Sequence, residues 1–289
     1  MTKAIAQDNE AHTAFDDLTR AEYESIRRLV YAQSGINLGD SKMQLVRARL
    51  GKRLRRGGFR TYRDYVRHVE SDSSGTALGD MLDAISTNTT HLFREMRHFT
   101  RLREIVRGWA GDPAWRRRHP TLRLWSAGCS SGEEPHSIAM VVHDVLRSCP
   151  GVEIKILATD LSVQMLSRAR AGLYELQRVG TVPVELRNRY LHKVNIDGRL
   201  MWQLVPELCD LIRVGRLNLM SPHYPFRHGF DVIFCRNVMI YFDGATKQAL
   251  VNKLAAQLHD GGYFFIGHSE SLNGMSQPLT YVEPTVYRK

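Results

Sequence analysis

Residues 125–135, which read WSAGCSSGEEP, hold the side chains whose types and spacing point most directly to chemistry. An apolar run leads into a turn bracketed by Gly128 and Gly132, as in loops that cradle a nucleotide. Such turns commonly bind phosphate at the start of the next helix, but Glu133 and Glu134 occupy that place here and would repel it. The loop is therefore predicted to bind a ligand that lacks phosphate and carries positive charge.

A second candidate ligand-binding residue, Asp160, follows the apolar residues 154–159. An acid at the end of the second strand of a nucleotide-binding sheet typically accepts hydrogen bonds from ribose hydroxyls. S-adenosylmethionine fits both features, because it has a ribose and an adenine, no phosphate, and a sulfonium and an ammonium that carboxylates stabilise. The alternative is that Glu133 and Glu134 only stabilise the start of a helix that has Pro135 in its first turn.

Apolar runs alternate with helical patterns along most of the chain and predict the elements that position these residues. The predicted strands are residues 122–126, 154–159, 231–235 and 263–267, and the predicted helices are residues 97–109, 135–147, 163–171 and 245–258. This order predicts a parallel sheet with helices on both faces, the α/β doubly wound class. Ligands bind at the carboxyl ends of such strands, so the residues that follow each strand form the candidate site.

Two regions are predicted outside this sheet. The predicted domains are a basic helical domain at residues 1–72, a linker at 73–87 and the sheet domain at 88–289. Inside the sheet domain, a turn at residues 195–198 separates two strand-like runs, and a third such run follows at 211–214. We expect a small antiparallel β insertion at about residues 188–217.

Charge is unevenly distributed in a chain of net charge +10. Residues 41–68 contain ten Lys or Arg and one acid, Asp64. Four arginines recur at helical spacing on the face away from an apolar stripe: Arg49, Arg53, Arg56 and Arg60. This basic amphipathic helix is either a merely solvated face or a surface for an acidic partner, such as nucleic acid, a membrane surface or an acidic protein.

Composition excludes several classes of protein. With 43% hydrophobic and 24% charged residues, the chain is typical of a globular protein. Its four cysteines form no Cys-x-x-Cys pair, which argues against a zinc site and a disulfide framework. The first residues contain no apolar stretch long enough for a secretory signal. We therefore expect a cytoplasmic protein without membrane insertion, and a site without metal.

Five segments, in order, resemble the CheR-type chemotaxis receptor methyltransferases, and the resemblance covers nearly the whole chain. They are STNTTHLFRE (86–95), WSAGCSSGEEPHSIAM (125–140), ILATDLS (156–162), FDVIFCRNVMIYF (230–242) and GYFFIGHSESL (262–272). The resemblance implies a Rossmann-like class I methyltransferase sheet, S-adenosylmethionine as cofactor and S-adenosylhomocysteine as product. It further implies O-methylation of glutamate side chains on the cytoplasmic helical bundle of a chemoreceptor, and we expect a monomer.

The resemblance also implies roles for individual residues. The implied cofactor contacts are Asn88, Thr90, Arg94, Ala127, Glu133, Asp160, Asn218, Leu219, Arg236 and Asn237. Arg94 and Tyr241 are placed near the transferred methyl group as catalytic residues, and the basic helix is expected to bind the receptor. An ionised glutamate is already a nucleophile, so its methylation needs in-line placement and exclusion of water rather than a metal or a strong base.

Two other functions stay open at this point. A nucleic-acid methyltransferase would use the basic helix, but amino-methylating enzymes of that kind typically carry an Asn/Asp-Pro-Pro-aromatic motif after the fourth strand. That position reads Arg236-Asn237-Val238-Met239 and has no proline, so we expect no nucleic-acid substrate. The other possibility is a non-catalytic adaptor that keeps the fold and binds receptors.

Overall fold

The computed structural model describes residues 17–86, 89–149 and 151–289. The chain divides into two compact units, one of Met1–Leu29 with Gly39–Ile85 and a larger one of Val30–Leu38 with Ser86–Lys289. Unlike the predicted boundary at residue 72, the smaller unit extends to Ile85. The segment predicted as a linker, 73–87, therefore contains a helix.

The first four helices are α1 (Arg20–Ser34), α2 (Met43–Gly57), α3 (Tyr62–Ser71) and α4 (Thr76–Ile85). Helix α2 buries Val46, Leu50 and Leu54, which recur every fourth residue and so share one face. It ends at Gly57 and is capped by Gly58, whose φ of 72° is the left-handed conformation that glycine adopts without strain. The basic helix predicted from the sequence is thus present as α2 with Arg49, Arg53 and Arg56, but it ends at Gly57, so Arg60 lies beyond it.

Within the described part of the chain, the larger unit contains the remaining α-helices and all the strands. Its helices are α5 (Met96–Gly111), α6 (Pro113–Arg118), α7 (Glu133–Leu146), α8 (Val163–Ala171), α9 (Val184–Tyr190), α10 (Pro206–Cys209) and α11 (Gly244–Gln257). Its strands are β1 (Thr121–Ala127), β2 (Glu153–Asp160), β3 (Leu173–Glu175), β4 (Leu191–Ile196), β5 (Arg199–Leu204), β6 (Ile212–Arg216), β7 (Phe230–Cys235), β8 (Leu258–Ile266), β9 (Thr280–Glu283) and β10 (Val286–Arg288).

Seven of these strands form one sheet in the order β6-β2-β1-β7-β8-β10-β9. The first five are parallel, and β10 pairs antiparallel with both β8 and β9. Successive residues of β7 face opposite sides: Val232 and Phe234 pack in one core, and Ile233 and Cys235 pack in another. Two cores, one on each face, confirm the doubly wound α/β class.

The predicted β insertion differs from the structure in two places. A separate antiparallel sheet has the order β3-β5-β4, so it begins at Leu173, before the predicted bounds. Strand β6, which covers the run predicted at 211–214, pairs parallel with β2 and belongs to the large sheet. The predicted turn is present between β4 and β5, with left-handed φ values of 50° at Asp197 and 79° at Gly198. Among the described residues, no helix has the length and apolar character needed to cross a membrane.

Candidate active site

A cavity of about 360 Å³ lies in the larger unit at the carboxyl ends of β1, β2, β6 and β7. This is where open α/β sheets bind ligands, and the volume suits a small molecule. The predicted residues that line it are Thr90, Arg94, Asp160, Asn218, Leu219, Arg236, Asn237 and Tyr241. Ala127 and Glu133 are not among the described lining residues, and Asn88 lies outside the described part of the chain.

The glycine turn after β1 lines part of the cavity. The backbone N–H groups of Gly128 and Cys129 both donate to the carbonyl oxygen of Thr159, at 2.8 and 2.9 Å. Gly128 has a φ of 84°, and a Cβ atom there would lie 2.5 Å from the side chain of Val238. Only glycine fits, so the turn presents bare backbone to a ligand.

Asp160 joins this turn to the end of β2. Its Oδ2 accepts the backbone N–H of Ser130 at 2.8 Å, and its Oδ1 accepts that of Ser162 at 2.9 Å. An ionised carboxylate has about four lone-pair positions, so hydroxyls of a ribose can donate to Asp160 in addition to these backbone groups. Asp160 thus combines the predicted ligand position with a structural role that fixes the turn.

The two glutamates that follow the turn have different surroundings. Glu133, 1% exposed, accepts from the hydroxyl of Ser131 at 2.7 Å and pairs with Arg178 at 3.1 Å. Glu134 lines the cavity and accepts from the hydroxyl of Ser126 at 2.7 Å. Burial raises the pKa of Glu134, and Arg236 opposes that rise. The acid that faces the cavity is therefore Glu134, whereas the cofactor contact expected of Glu133 stays a prediction.

Arg236 is the buried cation of the site. Its guanidinium donates to Glu134 at 3.0 Å, to Glu95 at 2.9 Å and to the backbone carbonyl of Arg94 at 2.5 Å. It also lies 5.7 Å from the ring centroid of Phe99, within cation–π range. Its side chain is 2% exposed. Although Arg236 lines the cavity, its main contacts therefore hold the 94–95 segment against β7 and α7.

Arg94 lies in a backbone segment of unusual conformation. Its neighbours Phe93 and Glu95 have φ values of 54° and 60°, which non-glycine residues rarely adopt. The carbonyl of Thr89 accepts from Arg94 Nη1 at 2.9 Å. Such strain persists only when neighbouring contacts over-determine the conformation, as they often do at functional sites. The segment thus presents the Arg94 side chain at the edge of the cavity.

Glu270, which the sequence analysis did not single out as a ligand residue, supports the loop after β7. Its Oε2 accepts the backbone N–H groups of Gly267 at 2.5 Å and Asn237 at 3.0 Å, and its Oε1 accepts that of Met239 at 2.8 Å. Burial raises the pKa of Glu270, while these N–H groups oppose the rise. The loop held in this way carries two predicted site residues, Asn237 and Tyr241.

We expect Glu270→Gln to loosen this loop, because the N–H donors of the new amide group would face the backbone N–H donors that Glu270 accepts. Leaving one buried N–H without an acceptor costs about 1–3 kcal/mol. The free energy of unfolding should fall by about that amount in urea titrations, and the affinity for S-adenosylhomocysteine should fall with it. Glu104→Gln, at a side chain that is 57% exposed, is the matched control. Equal values for the two variants would contradict the role of Glu270.

Asn218 follows β6 and uses its side chain within the protein. Its Nδ2 donates to the carbonyl of Gln33 at 2.6 Å, and its Oδ1 accepts the backbone N–H of Met220 at 2.9 Å. Ser34 and Ile36, from the same early segment as Gln33, also line the cavity. These residues lie far from the motifs in sequence, and no local pattern marks them as ligand residues.

One cluster has the residue types of a metal site. Glu95, His98 and His268 place ligand atoms within 4.8 Å of one another. However, Glu95 already pairs with Arg236, so a metal ion would lie beside a fixed cation. Burial lowers the pKa of His98 to about 3, so this imidazole is neutral. We therefore assign Glu95 to the ion pair with Arg236 and regard His98 as a neutral buried side chain rather than a metal ligand.

The cavity suits S-adenosylmethionine. Asp160 and Glu134 offer carboxylates where a phosphate would be repelled, and the bare backbone at Gly128 admits close approach. Apolar side chains, including Leu217 and Leu219, line the end of the cavity beside β6 and suit an adenine ring.

Comparison with known proteins gives the same assignment. The family model described as "CheR methyltransferase, SAM binding domain" matches residues 88–288, and the one described as "CheR methyltransferase, all-alpha domain" matches residues 21–86. The "Chemotaxis protein methyltransferase" of Borreliella burgdorferi is 37% identical over 94% of this chain and 95% of its own.

Two further relatives have similar coverage. The "Probable chemotaxis protein methyltransferase" of Rhizobium etli is 39% identical over 85% of this chain and 91% of its own. The "Chemotaxis protein methyltransferase" of Escherichia coli is 34% identical over 93% of this chain and 91% of its own. The chain therefore belongs to the CheR family, and it is an S-adenosylmethionine-dependent methyltransferase with a class I sheet and an N-terminal all-alpha domain.

Proposed function

We propose that this protein methylates glutamate side chains on the cytoplasmic helices of chemoreceptors, giving glutamate 5-O-methyl esters. The observation that carries the proposal is a cavity lined by Glu134, Asp160 and Arg94, in a chain whose relatives are named chemotaxis protein methyltransferases. The carboxylates suit a cationic cofactor, and the arginine suits an anionic substrate. Because the proposed substrate segments are cytoplasmic, we place the enzyme in the cytoplasm, where it acts as a monomer.

Several residues are proposed to hold the cofactor. They are Asn88, Thr90, Arg94, Ala127, Glu133, Asp160, Asn218, Leu219, Arg236 and Asn237. The Asn218 side chain already bonds to Gln33 and Met220, so we assign its ligand contact to the backbone. Arg236 acts through its ion pairs with Glu95 and Glu134. When bound, S-adenosylmethionine supplies a methyl group that its sulfonium activates.

Arg94 and Tyr241 are the proposed catalytic residues. The Arg94 guanidinium can donate two parallel hydrogen bonds to a glutamate carboxylate and so orient one oxygen towards the methyl group. Tyr241 lies in the loop held by Glu270, where it can pack against the sulfur and exclude water. No group has to remove a proton, because the substrate carboxylate is already ionised at neutral pH.

A labelled-methyl assay tests the proposal. The protein is incubated with methyl-labelled S-adenosylmethionine and fragments of a receptor cytoplasmic helix, and the expected product is a methyl ester that base hydrolyses. A base-stable product would point to N-methylation. Label in duplex DNA or RNA would favour the nucleic-acid enzyme, and binding of S-adenosylhomocysteine without any transfer would favour the adaptor.

The basic helix is the proposed receptor-binding surface, and its four predicted arginines are not equivalent. Arg49 donates to the carbonyl of Ile85 at 2.6 Å, and Arg53 pairs with Asp80 at 2.8 Å. Arg56 and Arg60 are exposed. The first two therefore also hold α2 to α4, and the last two are the better probes of binding to an acidic partner.

Reversal of both exposed charges, Arg56→Glu with Arg60→Glu, should raise the KM for receptor about tenfold and leave the affinity for S-adenosylhomocysteine unchanged. The reason is that exposed ion pairs are each worth roughly 0.2–1 kcal/mol, and two of them together correspond to about tenfold. Arg107→Glu with Arg117→Glu, two exposed sites of the larger unit, carries the same change in net charge. An equal rise in KM for both double variants would show that overall charge, and not these two sites, causes the effect.

A further inference from the structure

An early segment of the chain, residues 33–37, forms part of the cavity wall although it lies about fifty residues before the first motif. It belongs to the larger unit. The carbonyl of Gln33 accepts from Asn218 Nδ2 at 2.6 Å, and the backbone N–H of Asn37 donates to the carbonyl of Tyr241 at 2.8 Å. The segment therefore joins the loop after β6 to the loop after β7.

Four neighbouring strands have the order β6-β2-β1-β7, and the two loops follow the outer two of them. Between its two anchors the segment contributes Ser34 and Ile36 to the lining of the cavity. The segment thus lies along the cavity rather than beside it.

The conformation of the segment depends on Gly35. Its φ is 72°, and a Cβ atom there would lie 2.7 Å from the sulfur of Met220. Ser34 Oγ donates to the carbonyl of Val30 at 2.7 Å and accepts the N–H of Ile36 at 3.3 Å, which fixes the turn. Any larger residue at Gly35 would strain the backbone and push the segment away from the loop after β6.

We propose that residues 33–37 are a further cofactor-binding element, in which Ile36 supplies an apolar contact to the adenosine part of S-adenosylmethionine and the segment closes the cavity over it. The assignment rests on the proposed placement of the ribose at Asp160 and of the methyl group near Tyr241. The adenine then lies beyond β2, towards Leu217 and Leu219, because it is attached to the ribose on the side away from the methionine.

The segment also gives a reason for the hydrogen bond that the Asn218 side chain donates to a backbone carbonyl. By holding Gln33, it keeps the segment closed on the adenosine end, while the bond from Asn37 to Tyr241 holds the methyl end. Closure removes water from the site, which favours transfer to the substrate carboxylate over side reactions.

Calorimetry with S-adenosylhomocysteine and with adenosine tests the proposal on the full chain. Gly35→Ala should raise the Kd for both compounds about tenfold or more, because the strained segment moves away. Gly58→Ala is the matched control, since Gly58 has the same φ of 72° and a Cβ atom there would meet nothing within 4 Å. Unchanged Kd values for Gly35→Ala would overturn the proposal.

A second variant keeps the test decisive if Gly35→Ala fails to fold. Ile36→Ala should raise both Kd values about tenfold through lost apolar contact. Leu38→Ala changes a buried residue just after the segment that does not line the cavity, and it should leave both values unchanged. Equal Kd values for Ile36→Ala and the parent protein would also overturn the proposal. Methyl transfer to receptor by the parent protein is scored separately, so the proposed function and this inference can fail independently.

Discussion

Arg236→Met is expected to lower the free energy of unfolding by about 3–5 kcal/mol, the largest stability effect that we expect from a single change in this protein. The variant keeps the side-chain volume but leaves Glu95 and Glu134, which are 11% and 13% exposed, without their shared cation. An uncompensated carboxylate in a dry site costs more than the ion pair contributes. Urea titration monitored by circular dichroism measures the change.

The loss in free energy of unfolding caused by Arg236→Met should change with pH in one direction. Burial raises the pKa of Glu134 in the folded protein, and removal of Arg236 raises it further. An acid whose folded pKa is raised destabilises the fold as the pH rises through that pKa, and the penalty disappears once the acid is protonated. The loss of stability in Arg236→Met should therefore shrink as the pH falls from neutral towards the ordinary pKa of a glutamate, about 4.3.

Arg20→Met provides the comparison for Arg236→Met. Arg20 also pairs with two carboxylates, Glu24 and Asp40, but its side chain is 58% exposed. Water screens exposed ion pairs, so they contribute little to stability and this variant should unfold almost like the parent protein. A deficit for Arg236→Met as small as that for Arg20→Met, or one that grows as the pH falls, would show that the buried network does not stabilise the fold.

The parallel core of the sheet could be predicted from the sequence, because buried strands produce apolar runs that no surface segment resembles. Each of the four strands predicted for the parallel sheet overlaps an observed strand, namely β1, β2, β7 or β8. Strand β6 was assigned to the wrong sheet because its sequence, IRVGR, has no buried residue and gives no sign of its parallel partner. The short strands β9 and β10 were missed for a different reason: β10 buries Val286 and Tyr287, but three or four residues are too few for an alternating pattern to stand out.

The positions of the site residues could be predicted, but their partners could not. The rule that ligands bind after parallel strands located Asp160, Arg236 and Asn237 at the cavity. It could not decide between Glu133 and Glu134, because neighbours on a helix differ by about 100° in direction and only packing shows which one faces the ligand. The support that Glu270 gives to the loop after β7 requires the fold itself, since more than thirty residues separate them.

Arg94→Ala is expected to have the largest effect on activity, a fall in kcat of about 10²–10³-fold, similar to the loss of one oriented donor at other active sites. The reason is that Arg94 lines the cavity from a strained segment and carries the only proposed contact to the substrate carboxylate. The affinity for S-adenosylhomocysteine should change only a few-fold, because Asp160 and the glycine turn are untouched. Single-turnover transfer and calorimetry separate the two effects.

Two further variants define what Arg94 contributes. Arg94→Lys should recover part of the lost rate, since an ammonium keeps the charge but lacks the planar pair of donors that holds both carboxylate oxygens. Tyr241→Phe should lower kcat less than Arg94→Ala, because it keeps the ring and removes only a hydroxyl. If Arg94→Ala transferred methyl groups at the parent rate, or if its loss appeared wholly as weaker binding of S-adenosylhomocysteine, Arg94 would not orient the substrate. The carboxylate would then have to be positioned by the receptor's own contacts with the protein.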